Sequence, residues 1–240
     1  MGRYPYILLD ADMTLLDFHR SEREALCRVL DLYGLPRNEE TIQTYSRIND
    51  ALWKALARGN IDQDFLSVER FATLQRLVGG DSDPRTMNRD FTSFLAREAW
   101  LLPGALEFCR TLREAGLELS IATNGMPAAQ RGRYHRSGLD QVVPHLFISM
   151  ELGAQKPNPA FFQTILDKLG VDDRSQAVMV GDGLDTDILG GNRAGIDTIW
   201  FNPEGKPLSG PARPTYTAAG YDDILHILLR PCCYTFVPKL

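Results

Sequence analysis

The chain has 240 residues and a net charge of −5, with 44% hydrophobic and 24% charged residues. This is ordinary globular composition, sized for one large domain or one domain carrying an insertion. A mildly acidic chain lacks the basic field that nucleic acid or a membrane surface demands, whereas a small phosphorylated molecule needs only local positive charge. No apolar run approaches the roughly 18 residues of a membrane span. The apolar stretch from Tyr6 to Leu9 stops at Asp10, too soon for a signal-peptide core. Cys27, Cys109, Cys232 and Cys233 have no zinc-type spacing and read as reduced thiols of a cytoplasmic protein.

In chain order, Tyr6-Ile7-Leu8-Leu9 reads as a buried parallel strand. Ser21 and Glu24 form a capping-box pattern ahead of Ala25, Leu26, Val29 and Leu30 at helical spacing. A second helix is expected over 41–58, with Ile42, Tyr45, Ile48, Leu52 and Leu56 on one side. A third carries Phe65, Val68, Ala72 and Gln75. A fourth opens at Asp83-Pro84, a cap followed by a first-turn proline, and carries Met87, Phe91, Phe94 and Leu95. From Leu102-Pro103-Gly104 onward the pattern alternates. Strands are expected over 117–123, 146–149, 177–181 and 198–201, and helices over 128–137, 159–169 and 187–194. Such alternation predicts an α/β fold built on a doubly wound parallel sheet. The expected organisation is an α/β core of residues 1–16 and 101–230, an all-helical insertion at 17–100, and a C-terminal tail at 231–240. The Pro/Gly-rich stretch 202–214 reads as a surface loop.

Four polar features follow four expected strands. They are Asp10-Ala11-Asp12-Met13-Thr14, then Thr123-Asn124-Gly125, then Lys156-Pro157 after a short loop, then Gly181-Asp182 with Asp185 and Asp187 nearby. In a parallel sheet all strand C-termini share one edge, where ligands bind, so these features should converge. Carboxylates gathered this closely repel, by roughly 4 kcal/mol for a pair about 4 Å apart at an effective dielectric of about 20. A divalent cation relieves the repulsion, and hard oxygen ligands suit Mg²⁺. With the cation and Lys156 in place a phosphoryl group can enter, and an aspartate can attack phosphorus.

The set Asp10-x-Asp12-x-Thr14, Thr123, Lys156 and Gly181-Asp182 with Asp187 resembles the four motifs of the haloacid dehalogenase-like phosphatases. The insertion directly after the first motif resembles that superfamily's C1 cap. Leu9 to Asp12, Leu15 to Phe18, Asn49 to Trp53, Pro103 to Ala105 and Asp187 to Gly191 resemble the branch of noncanonical pyrimidine 5′-nucleotidases. The resemblance implies that Asp10 is the nucleophile and Asp12 the general acid and base. It implies that Thr123, Asn124 and Lys156 bind the phosphoryl oxygens, and that Lys156 also balances Asp10. It implies Mg²⁺ held by Asp10, the main-chain carbonyl of Asp12, and Asp182, with Asp187 orienting Lys156 or a metal-bound water. The expected substrate is a phosphate ester, a nucleoside monophosphate, acted on by a monomer or homodimer that engages neither nucleic acid nor membrane.

Two other readings stay open on the sequence. One is a phosphatase of a small phosphorylated metabolite such as phosphoglycolate or a sugar phosphate. The other is a non-enzymatic phospho-aspartate signalling domain, which also uses carboxylates, Mg²⁺, Thr and Lys on a doubly wound sheet but is about half this length. Trp53, Phe71 and Trp100 are candidates for stacking on a nucleobase, set against the commoner role of core packing. His19, His135, His145 and His226 are scattered and fit surface or capping roles.

Overall fold

A computed structural model describes residues 3–229; the Cys232-Cys233 pair and the expected tail lie outside the described residues. In chain order the elements are β1 (Tyr6–Leu9), α1 (Phe18–Leu32), α2 (Glu39–Ala57), α3 (Gln63–Val78), α4 (Pro84–Leu95), α5 (Ala105–Glu114) and β2 (Glu118–Thr123). Then come α6 (Pro127–Arg136), β3 (His145–Ile148), α7 (Ser149–Leu152), α8 (Pro159–Leu169), β4 (Ala177–Gly181), α9 (Leu189–Ala194), β5 (Asp197–Phe201), β6 (Tyr216–Ala218) and α10 (Tyr221–Leu229).

The six strands form one sheet in the order β3-β2-β1-β4-β5-β6, and every pair is parallel. Both faces are covered. Ile7 and Leu9 of β1 pack on one side with Phe108 of α5 and Ile224 of α10. Leu8 packs on the other side with Phe161, Phe162 and Ile165 of α8. Strands buried on both faces read as continuous apolar runs, which is why Tyr6 to Leu9 shows no alternation. The chain leaves β1 toward β2 on one side and later reaches β4 on the other, so a crevice opens beyond the carboxyl ends of β1 and β4.

Helices α1 to α4 gather a separate apolar cluster that includes Leu26, Tyr45, Phe71 and Phe91. The rings of Tyr45, Phe71 and Phe91 stand 5.3, 5.5 and 5.6 Å apart between centroids. The segments entering and leaving this block are bonded to each other: Asp17 N donates to Trp100 O at 2.8 Å, and Leu102 N to Leu15 O at 2.9 Å.

Several local expectations shift. Helix α1 begins at Phe18 rather than at a Ser21 cap, because the Asp17 carboxylate already accepts from Arg20 N. Helix α3 turns a different face inward. Leu66, Arg70, Phe71, Leu74 and Gln75 are buried, and Phe65 is exposed. The expected 187–194 helix divides into a π-helical turn, Leu184–Ile188, and the short α9. Elements α5, α7, β6 and α10 add to the expected set.

Candidate active site

The first motif begins where β1 ends. Leu9 is in register with Ile121 of β2 and Val180 of β4, so the next residue, Asp10, emerges between both neighbours. Its amide donates to Val180 O at 2.9 Å. The backbone then turns through Met13, whose φ of 61° is left-handed. Thr14 is fully buried, and its hydroxyl accepts from the amide of Asp182 at 3.2 Å, joining the first motif to the fourth.

Lys156 is the hub. Its ammonium reaches Asp10 Oδ1 at 2.5 Å, Asp187 Oδ1 at 2.7 Å and Ala122 O at 2.7 Å. Two hydrogen bonds, to Asp10 and Ala122, and an ion pair to Asp187 fix the cation although only 2% of the residue is exposed. Burial alone would lower the lysine's pKa, but Asp10 and Asp187 together outweigh it and hold the ammonium above its ordinary value.

The second motif supports this hub. Thr123 is buried at the end of β2, and its hydroxyl accepts from Gly125 N at 3.1 Å. Asn124 Nδ2 donates to Lys156 O, and Asn124 Oδ1 accepts from Lys156 N, both at 2.9 Å. The Asn124 side chain thus clasps the main chain that carries the lysine.

Asp187 lies buried beneath the fourth motif. Its Oδ2 accepts from Gly183 N at 2.9 Å while Oδ1 faces Lys156. Gly181 makes room for it: a Cβ there would come within 2.3 Å of Asp187 Oδ2. Carboxylate oxygens of Asp10, Asp182 and Asp187 all lie within 4.8 Å of one another. Burial, with Asp187 and Asp182 nearby, pushes the Asp10 carboxyl well above the usual range despite the opposing pull of Lys156. Burial and then Asp187 push Asp182 up to about 7. One lysine therefore does not neutralise the cluster. An all-oxygen donor set short of positive charge fits a hard divalent cation.

Asp12 stands apart from this cluster and is held by two side chains of α6. Gln130 Nε2 donates to its Oδ2 at 2.7 Å, and Arg133 forms a short ion pair with its Oδ1. Neither residue belongs to a recognisable motif. Only burial picks them out: Ala129, Gln130, Arg133 and Tyr134 are the buried residues of α6.

Among the aromatic candidates, Phe71 is fully buried within the helical cluster and has no face left for a base. Trp100 is 40% exposed and lies under the Arg20 guanidinium, 3.5 Å from its ring centroid. Trp53 is half-buried on α2. His135 pairs with Asp140 and His145 with Glu118, both away from the carboxylates described above.

A family model for haloacid dehalogenase-like hydrolases matches residues 4–195. The chain is 36% identical over 225 residues to pyrimidine 5′-nucleotidase PynA of Streptococcus pneumoniae, covering 94% of this chain and 95% of that protein. It is 32% identical over 228 residues to pyrimidine 5′-nucleotidase YjjG of Escherichia coli, covering 95% of this chain and 99% of that protein. The crystal structure of HAD-hydrolase YfnB from Bacillus subtilis, bound to magnesium, superposes with a TM-score of 0.89 at 31% identity, covering 94% of this chain and 99% of that one. No helix among the described residues is long and apolar enough to cross a membrane. With a site of four strand-end motifs and relatives matched along nearly their whole length, the chain belongs to the haloacid dehalogenase-like hydrolases.

Proposed function

We propose that this protein is a Mg²⁺-dependent 5′-nucleotidase that dephosphorylates pyrimidine nucleoside monophosphates through an aspartyl-phosphate. The carrying observation is the buried Lys156 ammonium bonded to both Asp10 and Asp187 beside Asp182. The names of the PynA and YjjG relatives support the substrate class. Magnesium, held by Asp10, the main-chain carbonyl of Asp12, and Asp182, would screen the phosphoryl charge so that a carboxylate can approach it.

In the first step an Asp10 oxygen forms a bond to phosphorus, and the bond from phosphorus to the 5′-oxygen breaks. Asp12 gives its proton to that oxygen, and the nucleoside departs. In the second step water attacks phosphorus, the bond to Asp10 breaks, and Asp12 recovers a proton from the water. The sum is monoester plus water giving nucleoside plus phosphate. Lys156 and Thr123 hold the phosphoryl oxygens, and Asn124 contributes by fixing Lys156. Asp187 orients the lysine.

In this reading residues 1–16 and 101–230 carry the chemistry, and residues 17–100 cap the crevice, exclude bulk water and read the sugar and base. The free, buried thiols of Cys27 and Cys109 support a reducing, cytoplasmic setting.

A panel of phosphate esters assayed with Mg²⁺ tests the assignment. Pyrimidine nucleoside monophosphates should lead in kcat/KM, ahead of phosphoglycolate and sugar phosphates. Asp10→Asn should abolish turnover with an unchanged circular dichroism spectrum. Retained hydrolysis in that variant would disprove the assignment of the nucleophile.

A further inference from the structure

The reaction asks Asp12 to give a proton and then take one, at the same place, in every cycle. Its carboxylate is only partly enclosed, with 27% of the side chain exposed, yet both of its oxygens are held from α6. Arg133 is fully buried. Its Nη1 bonds Asp12, while its Nε and Nη2 have no acceptor among the described residues. A buried guanidinium is costly, and further bonds to main-chain carbonyls would ordinarily offset that cost. Here Asp12 is its acceptor, and the ring of Phe18, the first residue of α1, braces its other side at 5.7 Å. Gln130 needs room to reach Asp12, and glycine at 125 supplies it. A Cβ on Gly125 would fall 2.0 Å from Gln130 Nε2. Fold stability alone explains neither the undersatisfied arginine nor the glycine cleared for the glutamine.

We propose that Arg133 and Gln130 are positioning residues that hold the Asp12 carboxylate in one orientation for both proton transfers. The proposal rests on the reading of Asp12 as general acid and base. Without the two anchors Asp12 samples other rotamers and spends less time within reach of the leaving oxygen or the water.

Rapid mixing of the Mg²⁺-loaded enzyme with p-nitrophenyl phosphate separates the two steps. A nitrophenolate leaves without a proton, so the burst of release does not depend on Asp12. The steady state that follows does, because water must still lose a proton. Arg133→Met should keep a burst near the wild-type rate and slow the steady state by roughly tenfold or more. Gln130→Leu should do the same, and it decides the matter if thermal unfolding shows that Arg133→Met does not fold. Burst and steady state falling together, or neither falling, in folded variants would overturn the proposal and mark the two residues as structural. Asp12→Asn is run alongside. Should it keep both phases at wild-type rates, the acid–base reading itself fails. Should it slow only the steady state while the α6 variants do not, the positioning role fails and the acid–base reading stands.

Discussion

Asp182 sits at the junction of proton and metal chemistry. Burial and Asp187 set its carboxyl near 7, far above an unfolded aspartate. A carboxyl raised in the folded state favours folding in its protonated form. That contribution is whole below about pH 4 and fades as the pH rises through about 7. The metal-free protein should therefore lose stability between about pH 5 and about pH 8, while added Mg²⁺ should stabilise more at the upper end, where no proton has to be displaced. Thermal unfolding with and without Mg²⁺ across that range checks this; a Mg²⁺ increment that shrinks as pH rises would contradict it. At this scale the strand-end rule is enough to bring Asp10, Thr123, Lys156 and Asp182 to one edge of the sheet, because each follows an apolar run recognisable in the sequence. Gln130 and Arg133 were not legible. They lie within a helix that carries three arginines, Arg131, Arg133 and Arg136, and only the packing of α6 shows which of them turns inward. Nor did Asn124 announce that its amide would bond the main chain of Lys156, since side-chain partners distant in sequence leave no local pattern.

Among the elements, α9 is short, yet it determines where Lys156 stands. Gly190 packs against Phe162 of α8 and against Pro157, the residue after the lysine. A Cβ at 190 would fall 2.6 Å from the Phe162 ring and 3.1 Å from Pro157 Cα. Phe162 is fully buried, so neither neighbour can swing away. Gly190→Ala should cost about 1–3 kcal/mol by overpacking and should lower kcat by displacing the Lys156 loop. Urea denaturation and steady-state kinetics read the two effects, and full stability with full activity would show that the contact is slack. The divergence of α3 from its expected face has a related origin. Arg70 and Gln75 occupy inward positions, where Arg70 bonds Asn88 and Asn49, and Gln75 bonds both the amide and the carbonyl of Ser82. Gln75 lies on the expected stripe, but apolar periodicity assigns a position such as Arg70 to solvent, so its buried polar network rotates the apparent stripe. The strands were easier to read because a central parallel strand buries both faces and leaves no orientation to misjudge.

At the scale of the whole molecule, the apolar packing falls into separate clusters on the two faces of the sheet and within helices α1 to α4. The helical block meets the α/β core at α6, where Ala129 and Met126 join its apolar cluster and Gly132 lies against Ala96, and through polar contacts beside the lysine. Gln155, one residue before the lysine, donates to Leu56 O at 3.0 Å, and Arg70 Nη2 approaches Met126 Sδ at 3.5 Å. These ties run through α6, its approach and Gln155 rather than through β1 or β4, so the block should be able to loosen without disturbing Asp10 and Lys156. Phe71→Ala tests this division of labour. Phe71 is fully buried against Tyr45 and Phe91, so its loss should destabilise the block by about 3–5 kcal/mol. Hydrogen exchange should then quicken in α1 to α4 and stay slow in β1, β2 and β4. Activity should divide in the same way. A nucleotide needs contacts from the block and should lose kcat/KM strongly, whereas p-nitrophenyl phosphate, which offers little beyond its phosphoryl group, should lose far less. Equal losses on both substrates would mean that the helices and the sheet edge form one cooperative catalytic unit.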